Sequence, residues 1–280
     1  MATPFDNFEK KKDYLICVDS DGCAMDTMDI KHIRCFGPCM VDEWGLDEWC
    51  DPILKRWNDI NLYTMTRGIN RFKGLATALK EINLQYTPIE HIDDLVSWVD
   101  NAPELSNRAV EAAYQETGNP VFAKALAWSI AVNNIINALP QSEKRPFPGV
   151  AEGLAAAQQV ADVAVVSSAN RDAVEEEWQF YGLLEHVDVL LCQDAGSKAH
   201  CITELMKKGY VTDHVLMVGD APGDRDAAYK NGVYFYPILV RKEASSWQEA
   251  PRAFRRLISG EYAPYGEAKE QEFLDNLKGE

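Results

Sequence analysis

The chain's apolar positions change period twice. From Tyr14 to Val18 they run together without a charge, YLICV, and stop abruptly at Asp19-Ser20-Asp21-Gly22. A short continuous run of this kind suits a strand buried on both faces. Residues 28–40 contain Gly37-Pro38 and no clean period, and read as a loop. From Asp42 to Ile60 the apolar positions Trp44, Trp49, Ile53, Leu54 and Trp57 recur at roughly helical spacing, and from Arg67 to Ile82 the positions Ile69, Phe72, Leu75, Ala76 and Leu79 share one helical face. Pro88 can open a helix over Ile89 to Val99; a further helix covers Glu104 to Thr117 and stops at Gly118, and another runs from Pro120 to Leu139, before Pro140. Residues 28–145 therefore read as all-helical.

At Arg145-Pro146-Phe147-Pro148-Gly149-Val150 the texture changes again, and short β-rich runs begin to alternate with helical ones. Val150 to Val160, Asp172 to Tyr181, Lys198 to Lys208 and Asp224 to Asn231 read as helices. Val163 to Val166, Val187 to Cys192, Val215 to Val218 and Val233 to Tyr236 read as strands. Such alternation implies βαβ units and a parallel, Rossmann-like sheet, an α/β core to which the strand at residues 14–18 also belongs. The helical segment is then an insertion. The expected units are a discontinuous α/β core of residues 1–27 and 146–280 and a helical domain of residues 28–145. In the tail, Phe254, Leu257 and Ile258 can pack one helical face on the core; no chemistry is evident there.

In open parallel sheets ligands bind at the carboxyl ends of the strands, so the residues that follow each strand matter most. The first strand ends in Asp19 and Asp21. Two converging carboxylates repel each other, and a cation between them, Mg2+ given the oxygen donors, is the simplest remedy. An ordinary strand exit with solvated aspartates is the other reading. The strand at 163–166 ends in Ser167-Ser168, followed by Asn170 and a helix N-terminus suited to an anion. Gly196-Ser197-Lys198 follows the next strand, and Gly219-Asp220-Ala221-Pro222-Gly223-Asp224 follows the one after. Singly, Ser167 could cap a helix, Lys198 could be a solvated surface residue and Asp224 an N-cap. Together they put hydroxyls, one cation and several carboxylates at one edge of a sheet.

These residues resemble the motifs of the haloacid dehalogenase-like (HAD) superfamily of hydrolases. Asp19-Ser20-Asp21-Gly22-Cys23 with Asp26-Thr27 resembles the first motif, with Cys23 where Thr is usual. Ser167 stands at the second motif, Lys198 at the third, and the Gly219–Asp224 segment at the fourth. The resemblance covers residues 14–27 and about 146–238, and it puts the helical insertion in the position called the C1 cap. It implies an Mg2+-dependent phosphatase in which Asp19 attacks phosphorus and Asp21 is the general acid and base. Ser167 and nearby backbone groups, with Gly22, Ser168 and Asn170 as weaker candidates, would hold the phosphoryl oxygens, and Lys198 would offset their charge. The metal would rest on Asp19, the backbone carbonyl of Asp21, and Asp220, with Asp224 nearby. A phosphomutase on the same core and, from another class, a non-catalytic binding protein that kept the fold are the alternatives. Retention of all four carboxylates speaks against the second.

Composition narrows the partners. With 46% hydrophobic and 26% charged residues the chain has the make-up of a soluble globular protein, without an apolar run long enough for a bilayer or a signal-peptide core in MATPFDNFEKKKD. A cytoplasmic enzyme is expected. A net charge of −16 argues against nucleic acid or anionic membrane as partner, but not against a small phosphorylated substrate. The seven cysteines are best read as free thiols; Cys35-x-x-x-Cys39 with Cys50 and His32 is too irregular for a convincing zinc site. Nothing in the chain sets its oligomeric state, and a homo-oligomer is one of the states open to it. In the insertion, Thr66-Arg67-Gly68-Ile69-Asn70-Arg71 offers two guanidinium groups and an amide for an anionic or polyhydroxyl part of the substrate, provided the helix has begun by Arg67. Pairing of both arginines with surface carboxylates is the plainer alternative.

Overall fold

Every residue of Leu15–Val18 (β1) is buried, as its uncharged run requires. In the computed structural model, which describes residues 4–278, β1 lies at the centre of a five-stranded sheet with Asp162–Val166 (β2), Val189–Leu191 (β3), Val215–Gly219 (β4) and Tyr234–Pro237 (β5) in the order β3-β2-β1-β4-β5. All neighbours are parallel, with Val18 opposite Val165 on one side and Val218 on the other. The chain builds outward from β1 first to one side and then to the other. The reversal lies between β1 and β4, where doubly wound sheets open a crevice.

Parallel strands need crossovers, and helices Arg171–Phe180, Lys198–Met206 and Pro222–Asn231 supply them between β2 and β5. Alternate strand positions, Ile16, Val18, Val163, Val165, Leu216 and Val218, join Leu154, Trp178, Trp247 and Phe254 in one buried cluster. Helix Glu243–Ile258 packs on helix Val150–Val160, and the close approach is set at Gly153, where a Cβ would lie 2.6 Å from the Trp247 ring. The C-terminal helix Tyr262–Asn276 packs along β5, with the Tyr262 hydroxyl donating to the Phe235 carbonyl at 2.7 Å. At the other end of the sheet the buried Asp162 carboxylate accepts the N–H groups of Lys11 and Lys12 at 2.9 and 3.0 Å and ties down the segment that leads into β1.

The chain divides into two compact units: Met1–Met28 with Pro140–Glu280, and Asp29–Leu139. The second is helical throughout, around a core that includes Trp57, Phe72, Leu75 and Trp128. Its first part differs from the reading of residues 28–40 as a loop. A short helix Met28–Lys31 passes into a π-helical turn His32–Phe36 and then into helix Gly37–Trp44. Pro38 falls in the first turn, where no N–H is required of it, and the wider π-turn shifts the apolar positions out of a regular period. The single helix expected over Asp42–Ile60 is broken at Gly45, which adopts φ 65°, and resumes as Cys50–Asn58 before a second π-turn, Asp59–Tyr63. Helix Arg71–Gln85 starts four residues later than its pattern suggests, with Asn70 as N-cap. Helices Ile92–Asn101, Asn107–Thr117 and Pro120–Ala138 complete the unit. Among the described residues no helix is long and apolar enough to cross a membrane.

Candidate active site

As the chain leaves β1, the Asp19 N–H still donates to the Val218 carbonyl of β4 at 3.0 Å, which holds Asp19 at the strand-order reversal. The turn that follows closes on itself. The Ser20 carbonyl accepts N–H groups from Cys23, Ala24 and Met25, and the Gly22 N–H donates to the Met25 carbonyl at 2.8 Å. Gly22 has φ 81°, a conformation that costs a side chain dearly. Two indoles pin the same turn from outside: Trp178 Nε1 donates to Ser20 Oγ at 2.9 Å, and Trp247 Nε1 to the Cys23 carbonyl at 2.8 Å. The Cys23 thiol points to the Val218 carbonyl at 3.6 Å; burial, then the neighbouring carboxylates, raise its pKa well above the ordinary thiol value.

Asp19, Asp220 and Asp224 converge, each offering an oxygen within 4.8 Å of the others, and are 5%, 1% and 0% exposed. Lys198, at the start of its helix, spans two of them, with Nζ 2.7 Å from Asp19 Oδ2 and 2.6 Å from Asp224 Oδ1. The other oxygen of Asp224 accepts the Ala221 N–H at 3.0 Å, so this carboxylate orients Lys198 and braces the turn after β4. Burial raises the Asp19 pKa well above the usual carboxylate range; Lys198 opposes this, while Asp224 and Asp220 add to it. Burial works against the Lys198 ammonium, but Asp19 and Asp224 together outweigh it and raise its pKa. Three carboxylates and one ammonium sum to a charge of −2 when all are ionised. A buried set of hard oxygen donors with that imbalance fits Mg2+.

Asp21 does not join this cluster through its side chain: its Oδ1 accepts the Thr27 hydroxyl at 2.6 Å instead. Ser167, one residue beyond β2, is buried, and its Oγ accepts the Ala169 N–H at 3.1 Å. Ser168 is exposed, and Asn170 caps helix Arg171–Phe180 by accepting the Ala173 N–H at 3.3 Å.

The candidates of the helical unit are placed otherwise than their spacing suggests. Arg67 precedes helix Arg71–Gln85, so the two arginines do not share a helical face. Arg67 is buried rather than on the surface, and donates to the Leu62 carbonyl at 2.8 Å. Arg71 Nη1 donates to Ser129 Oγ at 3.0 Å and Asn133 Oδ1 at 2.7 Å, with its guanidinium 5.0 Å from the centre of the Phe36 ring. Asn70 spends its side chain on capping Phe72 N and on the Leu105 carbonyl. All seven cysteines are free thiols.

A family model described as haloacid dehalogenase-like hydrolase matches residues 98–238, just over half of the chain. The chain belongs to the haloacid dehalogenase-like hydrolases. The matched residues hold Ser167, Lys198, Asp220 and Asp224, and begin after Asp19 and Asp21. The structure is similar to that of a haloacid dehalogenase-like family hydrolase from Streptococcus pneumoniae, at 13% identity over 84% of this chain and 90% of that one, with a TM-score of 0.52. A predicted phosphatase from Clostridium acetobutylicum aligns at 13% identity over 81% of this chain and 85% of its own, with a TM-score of 0.44. At 13% identity the likeness to the Streptococcus pneumoniae protein is one of fold. No curated protein matches the sequence. Sequence motifs pointed to most of this hydrolase's polar cluster, but not to the parts played by Thr27, Trp178 and Trp247. Thr27 stood inside the first motif without an assigned role, and a tryptophan in an apolar helix face carries no local mark of where its N–H will point.

Proposed function

We propose that this hydrolase is an Mg2+-dependent phosphatase that acts on a small phosphorylated metabolite through an aspartyl-phosphate at Asp19. The observation that carries the reading is the buried Asp19 carboxylate held by Lys198 beside Asp220 and Asp224 at the carboxyl ends of β1 and β4. A carboxylate held there, with an ammonium bridging it to Asp224, is suited to attack on an anionic phosphorus centre. An Asp19 oxygen bonds to phosphorus as the ester P–O bond breaks. Asp21, fixed by Thr27, gives a proton to the departing alcohol. Asp21 then takes a proton from water, whose oxygen attacks the same phosphorus, releases phosphate and restores Asp19. Lys198 offsets the charge of the phosphoryl oxygens, and Ser167, the backbone around Ser168 and Asn170, and Gly22 help to hold them. Asp19, the Asp21 carbonyl and Asp220 would hold Mg2+, with Asp224 beside them; when bound, the ion supplies charge neutralisation at the phosphate.

In this reading the helical unit is the cap, and Arg71 is its better substrate-binding candidate. Its partners are the neutral groups of Ser129 and Asn133 and the Phe36 ring, and burial lowers its pKa from the ordinary guanidinium value. Arg67 and Asn70 then shape the approach to helix Arg71–Gln85. The partner is a small molecule, neither nucleic acid nor membrane, and the enzyme is cytoplasmic.

Release of inorganic phosphate from p-nitrophenyl phosphate and a panel of phosphorylated metabolites tests the reading. Activity should disappear with EDTA, return with Mg2+ and be absent from Asp19→Asn at unchanged fold. Asp19→Asn turnover within about tenfold of wild type, or full activity after exhaustive chelation, would overturn the proposal. Steady release of phosphate also separates a hydrolase from a phosphomutase.

A further inference from the structure

The turn after β1 contains both carboxylates to which catalysis is assigned above, and its own backbone bonds close it without consuming Ser20 Oγ or the Cys23 carbonyl. Ser20 and Cys23 are both fully buried, out of reach of bulk water. An acceptor left bare there would lose its hydration with nothing in return. Trp178 meets the first and Trp247 the second, one on each side of Asp21 along the chain. The two indoles come from distant parts of the sequence, Trp178 from the helix after β2 and Trp247 from the first helix after β5. Both are buried, and the helix bearing Gly153 makes room for Trp247: a Cβ there would lie 2.6 and 2.9 Å from two atoms of its ring.

We propose that Trp178 and Trp247 are positioning residues: their indole N–H groups clamp the turn between Asp19 and Met25 and so set the orientation of Asp19 and Asp21. The helix Glu243–Ile258, which carries none of the catalytic candidates, thereby becomes part of the machinery. Apolar packing alone would accept Phe at either place. What packing does not explain is that two indoles from different helices both aim their N–H groups at this turn. A buried indole commonly finds some acceptor, as Trp128 does at the Phe36 carbonyl, 3.1 Å away in the helical unit. Convergence on a single turn is the additional observation.

The assignment rests on the phosphatase reading for its kinetic arm, so its test has a second arm that needs no turnover. Trp178→Phe and Trp247→Phe in the full chain remove the N–H and keep a ring. Each should lower kcat for p-nitrophenyl phosphate by ~10- to 100-fold with KM within ~twofold, because small displacements of reacting groups are costly while binding contacts remain. Each should also weaken Mg2+ binding, measured by calorimetry, by ~10-fold, since the turn would supply the Asp21 carbonyl as ligand. Ser20→Ala removes the acceptor of Trp178 without opening the core, and should reproduce the kcat loss. In the double variant with Trp178→Phe the losses should not add. Should Trp247→Phe fail to fold, the benzothienyl isostere at position 247, with sulfur in place of N–H, keeps the volume and removes only the donor. For either tryptophan, kcat within ~twofold of wild type together with unchanged Mg2+ affinity overturns its assignment, and additive losses in the Ser20/Trp178 cycle overturn the route through Ser20. A wild type that releases no phosphate fails the phosphatase reading alone, since the Mg2+ titration still reads the clamp.

Discussion

At the scale of single residues, the two aspartates of the first turn receive different environments within a few ångströms of chain. Asp19 is buried against Lys198, while Asp21 is only partly buried and accepts the Thr27 hydroxyl at 2.6 Å. Different surroundings allow one carboxylate to act as nucleophile and the other to carry a proton. The assignment of Asp21 as general acid has a kinetic consequence. Asp21→Asn should lose most activity on alkyl phosphates, whose leaving alkoxide needs a proton, and least on p-nitrophenyl phosphate. The slope of log kcat against leaving-group pKa should therefore steepen in the variant. An unchanged slope would remove the acid role from Asp21.

At the scale of elements, caps and glycines decide what periodicity leaves open. Asn70 accepts the Phe72 N–H and starts its helix at Arg71, which separates Arg67 from Arg71 although they are four apart in sequence. Gly45 stops one helix where the apolar spacing runs on. Gly153 does the reverse, being inside a helix and chosen for closeness rather than flexibility. Ala is the better helix former by about 0.5–1 kcal/mol, yet its methyl would have to displace the Trp247 ring, and overpacking of a core costs about 1–3 kcal/mol. Gly153→Ala should therefore lower the denaturant midpoint with an unchanged m-value. A midpoint equal to or above that of wild type would show that the two helices can move apart freely.

At the scale of the whole molecule, a chain of net charge −16 has to receive an anionic substrate. Lys198 serves the phosphoryl group in the mechanism proposed above. Arg71 is the candidate for a second anionic or hydroxyl group of the natural substrate, and only substrates that carry such a group can report on it. Arg71→Met should lower kcat/KM for the natural substrate by an amount equivalent to about 1.5–3 kcal/mol, the worth of a charged hydrogen bond, and leave p-nitrophenyl phosphate nearly unaffected. Equal losses on both would point to a folding defect in the helical unit, and no loss on either would return Arg71 to a role in joining its helix to Ser129 and Asn133.

The α/β class, the strands of the sheet and the polar residues at their ends were legible from sequence because each depends on local information. A buried parallel strand must be uninterrupted and apolar, as in Leu15–Val18, and its chemistry follows immediately after it, as at Asp19 and Asp220. Helices in the second unit were legible where a cap and a period agreed, as at Pro120–Ala138, and illegible where a π-turn displaced the period, as at His32–Phe36. Tertiary structure alone decided which side chains meet. That Lys198 spans Asp19 and Asp224, that Thr27 turns back to Asp21, and that Trp247 reaches a carbonyl 224 residues earlier in the chain are matters of how helices dock on the sheet. Docking depends on side-chain volumes summed over distant segments, and a run of neighbouring residues does not record that sum.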